Sequence, residues 1–295
     1  MIKKTFITFL IIFTLYSIFW ILHTPKAIIA QEHWQENQIT AQNYLYGDLD
    51  SVENLIIGTS LSRALIMDSL PGFFNLSLNG ELPFQGLEAM EKKGIYPKRV
   101  FIETNRIFSW FNKGLFNEIL YSPVLYTLRT PFPILRDGRQ PILTAATSVE
   151  SMFVDRKIFY TALYDRAILY GGRIDMNNEA DVRFTFREYM ERPNDKQMET
   201  TISLLNHYFE ILKRHNTEII IYEMPISKTL CNTPKMTGTR EQMRKYFPPA
   251  EYIYLPQPEC LDYKTYDGTH MVRDEAIKYT HLFKTQVDSL VRMGK

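Results

Sequence analysis

An apolar run opens the chain and differs from everything that follows it. After Lys3 and Lys4, residues 6–22 carry no charge. A helix rises about 1.5 Å per residue, so this run just spans a hydrocarbon core of about 30 Å. Lysines ahead of the run indicate a cytoplasmic N-terminus and place the remaining chain in the periplasm or at the cell surface. The pattern predicts a single-pass transmembrane anchor over residues 1–23.

A cleaved signal peptide is the alternative interpretation of this run. Ala30 is a candidate cleavage position, but Ile28 stands where a small residue is preferred, and the run is long for a signal peptide. We therefore expect the uncleaved anchor. No second run of this length occurs in the sequence, so one membrane crossing is expected. Both interpretations predict an exported domain.

Short apolar runs and amphipathic stretches alternate through the rest of the chain. A polar segment at 24–50 is interpreted as a juxtamembrane stalk with some helix, and the globular domain is expected at 51–295. Strands that alternate with helices indicate an α/β fold, a three-layer α/β/α architecture with a parallel sheet covered on both faces. The predicted strands lie at 54–58, 73–77, 99–103, 217–225 and 251–256, and the predicted helices at 61–70, 83–93, 194–212 and 273–292.

A long insert interrupts this alternation at residues 106–192. It is rich in aromatic residues, carries several arginines, and is expected to be mostly helical. Inserts of this kind often form lids or acceptor-binding surfaces. Extra core with a solvated charged face is the alternative interpretation.

Composition narrows the classes of function. The 295 residues carry a formal net charge of +1, whereas nucleic-acid binders usually show a strong basic excess, so no nucleic-acid partner is expected. Only Cys231 and Cys260 are present. In an exported domain they permit one disulfide, which would brace the segment leading to Asp267; two reduced thiols are the alternative. Two cysteines at this spacing do not make a zinc site, and no metal is expected.

The candidate chemistry lies at the ends of predicted strands. Ser60 follows the first strand, Gly80 follows the second, and Glu103 and Asn105 lie at the end of the third. The carboxyl ends of parallel strands meet at one edge of a sheet, where α/β proteins form their sites. The strand assignment therefore predicts a site at this edge.

Ser60 is the candidate nucleophile. A serine hydroxyl at a strand-to-helix turn attacks only when a base removes its proton. The alternative is a plain helix N-cap, which is a common role of serine. Ser62 is a competing nucleophile but lies within the predicted helix. The Gly-x-Ser-x-Gly pattern of α/β-hydrolases is absent, because Ser62 stands at its second glycine.

The stretch Asp267-Gly268-Thr269-His270 supplies the candidate base. Of six histidines, only His270 combines a loop position, a nearby acid and a following helix. Asp267 would bind one ring nitrogen of His270 while the other nitrogen faces Ser60. The alternative is an ordinary Asp-Gly turn.

Gly80 and Asn105 are candidate donors to an oxyanion, together with the N–H of Ser60. Glycine lets a main-chain N–H approach a substrate closely, and an asparagine side chain supplies further N–H donors. An Asn-Gly turn and a helix cap are the alternatives. Glu103 is either a hydrogen-bond partner of the site or a carboxylate whose role the sequence does not define.

Four short blocks resemble, in order, those of the SGNH or GDSL hydrolase superfamily. Thr59 replaces the usual Asp of the first block, and the third block keeps only its Asn. The Asp-x-x-His block matches fully. The blocks are Gly58-Thr59-Ser60-Leu61, Asn75-Leu76-Ser77-Leu78-Asn79-Gly80, Glu103-Thr104-Asn105 and Asp267-Gly268-Thr269-His270.

This resemblance implies an SGNH/flavodoxin-like fold with a catalytic triad. It covers the chain from about residue 54 onward and leaves the insert unmatched. The roles it implies are Ser60 as nucleophile, His270 as base, Asp267 as the acid that orients the base, and Ser60, Gly80 and Asn105 as oxyanion donors.

The departures from the pattern also occur in membrane-anchored branches of the superfamily. These resemble the D-alanine transfer protein of teichoic acid operons and alginate acetylation proteins, which work beside a multi-spanning membrane acyltransferase. The resemblance implies a serine acyltransferase or esterase acting on O-acyl groups of a cell-surface glycan or polymer, without metal or soluble cofactor. The alternative is a catalytically inactive module that binds a glycan or a membrane acyltransferase.

Overall fold

Five parallel strands form the centre of the molecule. The computed structural model describes residues 2–22, 33–109, 123–153 and 179–292. The strands are β1 (Asn54–Ile57), β2 (Phe73–Asn75), β3 (Arg99–Glu103), β4 (Glu218–Tyr222) and β5 (Ile253–Tyr254). They pair in the order β2-β1-β3-β4-β5, and every pair is parallel. The predicted α/β class and parallel sheet are confirmed.

Helices cover both faces of this sheet and extend beyond it at the N-terminus. The predicted helices at 83–93, 194–212 and 273–292 are confirmed. Short 3-10 turns occur at Met67–Ser69, Pro133–Leu135 and Asp137–Arg139. The α-helices are α1 (Ile2–Leu22), α2 (His33–Tyr46), α3 (Ser60–Arg63), α4 (Pro83–Lys93), α5 (Pro123–Leu128), α6 (Pro141–Phe153), α7 (Glu179–Tyr189), α8 (Asp195–Arg214), α9 (Pro234–Tyr246) and α10 (Arg273–Arg292).

Alternation along each strand divides the core between the two faces of the sheet. Successive side chains of a strand point to opposite faces. Leu55 and Val100 lie in one apolar cluster, with α2, α4 and α8. Ile56 and Phe101 lie in a second cluster, with α10. The strands are therefore buried on both faces, as a three-layer arrangement requires.

The strand order also fixes where a site can form. β1 lies between β2 and β3, so the chain adds strands first on one side of β1 and then on the other. Open α/β sheets place their ligands in the crevice at such a switch point, beyond the carboxyl ends of the strands. The switch point lies between β1 and β3. Ser60 lies just after β1, and Asn105 lies just after β3.

The single helix predicted at 61–70 is wrong. The chain forms only α3 and then the 3-10 turn at Met67–Ser69. A continuous helix would bond the N–H of Ile66 to the carbonyl of Ser62. Instead, Ile66 N donates to Thr280 Oγ1 at 3.1 Å, and the Ser62 carbonyl accepts from Asn75 Nδ2 at 2.8 Å. Tertiary hydrogen bonds therefore end the helix early.

Part of the segment interpreted as a stalk packs on the domain. Residues 33–46 form α2, whose Ala41 and Tyr44 side chains are buried in the core shared with α4. Lys93 Nζ donates to the carbonyls of Tyr44 at 2.7 Å and Gly47 at 2.9 Å, at the C-terminal end of α2. Residues 23–32 lie outside the described residues.

α1 is long and apolar enough to cross a membrane. Its apolar span covers Ile2–Trp20, 19 residues with a mean hydropathy of 1.6. A signal sequence shares this length and composition. The N-terminal apolar helix that the sequence predicts is therefore present.

The described part of the insert joins α1 to α2. Tyr16 OH donates to the Arg139 carbonyl at 2.6 Å. Asp137 N donates to Gln42 Oε1 at 2.8 Å, and the Gln42 amide nitrogen donates back to the Asp137 carboxylate. These described residues are helical or in turns, and insert residues 110–122 and 154–178 lie outside the described part of the chain.

The close approach of α4 to β1 generates a stability prediction. A methyl group added at Gly86 would lie 2.6 Å from Ile57 Cγ2. Alanine favours a helix over glycine by about 1 kcal/mol, but this overlap opposes the gain. We expect Gly86→Ala to lower the free energy of unfolding by about 1–3 kcal/mol, measured by urea denaturation.

The exposed position Glu91 on the same helix provides the control. Glu91→Ala is expected to change the free energy of unfolding by no more than about 0.5 kcal/mol. A Gly86→Ala protein as stable as the wild type would contradict the tight contact between α4 and β1.

Candidate active site

Ser60, His270 and Asp267 form a hydrogen-bonded chain at the carboxyl edge of the sheet. Ser60 Oγ lies 2.8 Å from His270 Nε2, and His270 Nδ1 lies 2.7 Å from Asp267 Oδ2. This network assigns the ring proton to Nδ1, which donates to the carboxylate, and leaves the Nε2 lone pair facing the serine hydroxyl. The structure brings together three residues predicted from the sequence, although Ser60 and His270 are 210 positions apart.

A tight turn holds the acid and the base together. Asp267 Oδ1 accepts hydrogen bonds from Thr269 N at 2.9 Å and from His270 N at 2.8 Å. Tyr266 N donates to the His270 carbonyl at 2.9 Å and closes the turn. The Asp-Gly turn that stood as the alternative interpretation is present, and it orients the histidine.

The electrostatics of this turn favour an ionised Asp267. Burial raises the pKa of Asp267, but the hydrogen bonds and charge of His270 and the N–H of Thr269 outweigh burial and hold that pKa well below its usual range. An ionised carboxylate stabilises the imidazolium that forms when His270 takes a proton. The pair is therefore suited to general-base chemistry.

The Cys231–Cys260 disulfide lies behind the same turn. The predicted bridge is present in the structure. Ser227 N donates to the Gly268 carbonyl at 2.8 Å, and Cys231 N donates to the Ser227 carbonyl at 3.2 Å. Gly268 has a φ of 91°, and an added Cβ would lie 3.0 Å from Leu230 Cδ1. Glycine therefore suits this position, and the segment that leads into Cys231 supports the turn.

A buried carboxylate shapes the turn that carries Ser60. Glu103 Oε2 accepts hydrogen bonds from Thr59 N at 2.7 Å, from Thr59 Oγ1 at 2.7 Å and from Ser62 Oγ at 3.0 Å. Thr59 Oγ1 in turn accepts from Leu61 N at 3.2 Å and caps α3. Ser60 is therefore not the N-cap of this helix, because Thr59 fills that position. Glu103, whose role the sequence does not define, stabilises the turn through these three hydrogen bonds.

Glu103 has an unusual environment for a carboxyl group. Its side chain is fully buried. Burial raises the pKa of Glu103, and the hydrogen bonds from Thr59 and Ser62 and the charge of Arg106 offset this effect only in part. Its second oxygen, Oε1, has no hydrogen-bond partner among the described residues. The neutral form of Glu103 is therefore favoured more than it would be in water.

Ser62 does not compete with Ser60. The Ser62 side chain is fully buried. Its hydroxyl accepts from Tyr222 OH at 2.6 Å and donates to Glu103 Oε2. Because its hydroxyl is enclosed and bonded on both sides, Ser62 belongs to the support of the turn.

Two main-chain amides remain available as oxyanion donors. The N–H groups of Ser60 and Gly80 donate no hydrogen bond within the described residues. Leu78 N donates to the Gly58 carbonyl at 3.3 Å, which places the loop carrying Gly80 beside the turn after β1. Gly80 has a φ of 72°, a conformation that favours glycine. The oxyanion roles of both residues stay predictions, and the available amides support them.

Asn105 makes a different contact from the predicted one. Its Nδ2 donates to the Met224 carbonyl at 2.8 Å, and its Oδ1 accepts from Met224 N at 2.7 Å. The side chain is fully buried and joins the end of β3 to the segment after β4. The Nδ2 atom of an asparagine carries two hydrogens. An oxyanion role would use the one that does not bond Met224.

α2 contributes contacts to the site that the sequence analysis missed. Asn37 Nδ2 donates to the Asn79 carbonyl at 2.8 Å, and Asn37 Oδ1 accepts from Asn79 N at 2.7 Å. Glu36 forms an ion pair with Arg63, at the end of α3. A buried asparagine in a polar segment gives no periodic signal. Adjacent residues of α2 thus hold the Gly80 loop and α3, which carries Ser60.

Comparisons with known proteins assign no chemistry to this site. No protein-family model, no curated protein and no solved structure matches the chain. Among the described residues, no group of three or more His, Cys, Asp or Glu side chains is placed to hold a metal ion. The assignment of function rests on the geometry described above.

The buried Glu103 generates a prediction about pH and stability. Its folded pKa lies above the ordinary value of 4.5, so its contribution to the free energy of unfolding is full below that value and is lost as pH rises through the folded pKa. Glu103→Gln keeps an oxygen for Thr59 and Ser62 and removes the titration. The wild type should lose stability relative to Glu103→Gln as pH rises, measured by urea denaturation from acidic to neutral pH.

Glu91→Gln, on an exposed face of α4, is the matched control for this measurement. It makes the same Glu-to-Gln change at an exposed position outside the site. If the Glu103→Gln and wild-type curves run parallel, the raised pKa is wrong.

The disulfide generates a second prediction. Replacing Cys231 and Cys260 together with serine opens a loop closed across 29 positions. We expect a loss of about 2–4 kcal/mol in the free energy of unfolding. The turn of Asp267 and His270 should loosen as well, because the segment that leads into Cys231 contacts Gly268 through Ser227. The rate of ester hydrolysis, measured under conditions in which the variant is still folded, should therefore fall.

Reduction of the wild type with a thiol reagent is the control for the serine substitutions and should reproduce both losses. Unchanged hydrolysis in a folded, bridge-free protein would show that the turn does not need this support.

Proposed function

We propose that the chain is a membrane-anchored, extracytoplasmic serine acyltransferase or esterase that acts on O-acyl groups of a cell-surface glycan or polymer. The observation that carries this proposal is the chain of hydrogen bonds from Ser60 through His270 to Asp267, at 2.8 Å and 2.7 Å. The side chains of His270 and Asp267 are 17% and 26% exposed, so a substrate can approach them from outside.

The proposed reaction begins at Ser60. Its Oγ attacks the acyl carbonyl carbon while His270 Nε2 takes the hydroxyl proton. The N–H groups of Ser60 and Gly80 stabilise the oxyanion. When the tetrahedral intermediate collapses, the leaving oxygen takes the proton from His270, and the acyl group stays on Ser60. An acceptor hydroxyl or water then loses a proton to His270 and attacks the acyl carbonyl carbon, and His270 passes that proton to Ser60 Oγ as the acyl group leaves it.

An SGNH-like fold is part of this proposal. It is supported by three blocks that lie after β1, β2 and β3 and by the closing Asp267–His270 pair that meets the first of them. Thr59 stands where the superfamily has an acid. Glu103, which stands where the third block has glycine, bonds Thr59 and supplies a carboxylate to the same turn.

The proposed location and partners follow from the anchor. α1 would hold the catalytic domain on the extracytoplasmic side of the membrane, because Lys3 and Lys4 precede the uncharged run at 6–22. A multi-spanning membrane acyltransferase is the proposed partner, and a cell-surface polysaccharide or polymer is the proposed substrate. This chemistry uses no metal or soluble cofactor and involves no nucleic acid.

Substitution of the proposed nucleophile and base tests the reaction. Ser60→Ala and His270→Ala should each lower the rate of acetyl-ester hydrolysis about a thousandfold or more, because they remove the nucleophile or its base. A fluorophosphonate probe should label the wild type and fail to label Ser60→Ala.

Ser289→Ala, at an exposed position of α10 outside the site, is the matched control. It should remain labelled. Labelling that persists in Ser60→Ala would show that another residue is the nucleophile.

A catalytically inactive module that binds a glycan or a membrane acyltransferase is the second candidate. It is favoured by Asn105, because both the Nδ2 and the Oδ1 of this side chain bond the main chain of Met224 instead of facing an open pocket. The same labelling separates the two functions. A folded wild-type protein that is not labelled and does not hydrolyse esters would support the binding module.

A further inference from the structure

The insert carries an apolar face that is turned away from the domain. On α6, Leu143, Thr144 and Thr147 are buried while the apolar side chains on the other face are exposed. Ile142 and Met152 are 79% and 76% exposed. The outward positions recur every three or four residues, which places them on one side of the helix: Ile142, Ala145, Val149 and Met152. The outward face of α6 is therefore apolar, whereas the outward face of a helix on a soluble core is usually polar.

A second exposed apolar face lies beside it. Between residues 123 and 135 the sequence has one charged residue, Arg129, which pairs with Asp137 at 2.9 Å. Its charge is thus neutralised within the insert. The apolar side chains here are exposed: Val124, Leu125, Leu128 and Phe132. Together with α6 they form a surface rich in apolar groups and poor in charge.

This surface is continuous with α1. The Phe13 and Phe132 rings lie 5.9 Å apart, and Tyr16 OH donates to the Arg139 carbonyl. The Arg139 guanidinium lies 5.0 Å from the Trp20 ring. The contacting residues of α1 are spaced by three or four positions, so one side of the helix faces the insert along its C-terminal part.

The contacts between α1 and the insert indicate how deep the insert would lie in a membrane that α1 crosses. The apolar span of α1 ends at Trp20. Counted back from there at about 1.5 Å per residue, Tyr16 lies about 6 Å and Phe13 about 10 Å inside the span. If α1 crosses a membrane, an insert that touches Phe13 lies within the leaflet on the domain side. Interfacial helices bury their apolar faces to a similar depth of about 5–10 Å.

We infer that residues 123–153 form a membrane platform, in which α5 and α6 seat their exposed apolar faces in the lipid leaflet beside α1. The inference rests on the membrane anchoring by α1 that is part of the proposed function, and it does not rest on the acyl chemistry. Lipid is the occupant that continuity with α1 indicates.

Aromatic and cationic side chains lie around the platform in the way that a membrane boundary favours. The Arg136 guanidinium lies 5.2 Å from the Tyr46 ring, and Lys92 Nζ lies 5.2 Å from the Tyr126 ring. Amphipathic aromatic rings and long cationic side chains are enriched where hydrocarbon meets water.

The platform places the candidate active site close to the membrane. α2 bonds the platform through Gln42 and the Gly80 loop through Asn37. These two residues are five positions apart, which is about 8 Å along the helix. The site therefore fits an acyl donor that is delivered at the membrane surface.

Site-directed spin labelling of the full chain in vesicles of phosphatidylcholine and phosphatidylglycerol tests the platform. The two native cysteines form the disulfide, so one added cysteine gives one label. Val149→Cys probes α6, Phe9→Cys probes α1, and Leu282→Cys on α10 probes the opposite side of the sheet. All three positions are exposed. Collisions with oxygen report lipid, and collisions with a water-soluble nickel chelate report water.

We expect labels at Val149 and Phe9 to collide severalfold more with oxygen than with nickel, and the label at Leu282 to show the reverse. Nickel access at Val149 with lipid access at Phe9 would overturn the platform and leave the anchor intact. Nickel access at both would overturn the anchor as well. A Val149 label shielded from both reagents would show that protein, such as a second copy, covers this face.

Fluorophosphonate labelling of Ser60 in the same vesicles is read separately. Loss of that labelling with a lipid-exposed Val149 would contradict the acyl chemistry and leave the platform standing.

Discussion

The bond between the Glu103 carboxylate and the turn after β1 is the contact on which the site depends. The parallel sheet makes β1 and β3 neighbours, but adjacency alone does not set the direction of the Ser60 hydroxyl. Thr59 and Ser62 both donate to one oxygen of Glu103, on either side of Ser60. These bonds from β3 fix the position of Ser60 in the turn after β1. They require that the carboxyl group of Glu103 is buried, which is unfavourable.

His270 is positioned by contacts other than those that hold Ser60. Its turn is fixed by bonds within residues 266–270 and by Ser227, which contacts Gly268. None of these bonds involves β1 or β3. The two halves meet where Ser60 Oγ faces His270 Nε2. Each half is therefore held by its own hydrogen bonds, and the distance between Ser60 and His270 depends on how the last segment of the chain docks on the sheet.

Much of this arrangement could be predicted from the sequence, because buried strands are runs of apolar residues and their ends are marked by polar ones. The parts that were missed depend on tertiary contacts. α9 was not predicted, since its stretch is largely polar and contains Gly238. The helix expected at 61–70 ends early because of bonds to Asn75 and Thr280. Asn37 gave no signal, because its function is to pair with one loop.

α2 has a practical consequence for producing the domain without its anchor. The apolar pattern suggests a soluble fragment that starts near residue 51, just ahead of β1. Such a fragment would leave the main chain of Asn79 without its partner Asn37 and would uncover the core around Tyr44. It would also leave Lys93 without the carbonyls it binds. A fragment intended to keep the site intact should begin before His33, so that α2 is retained whole.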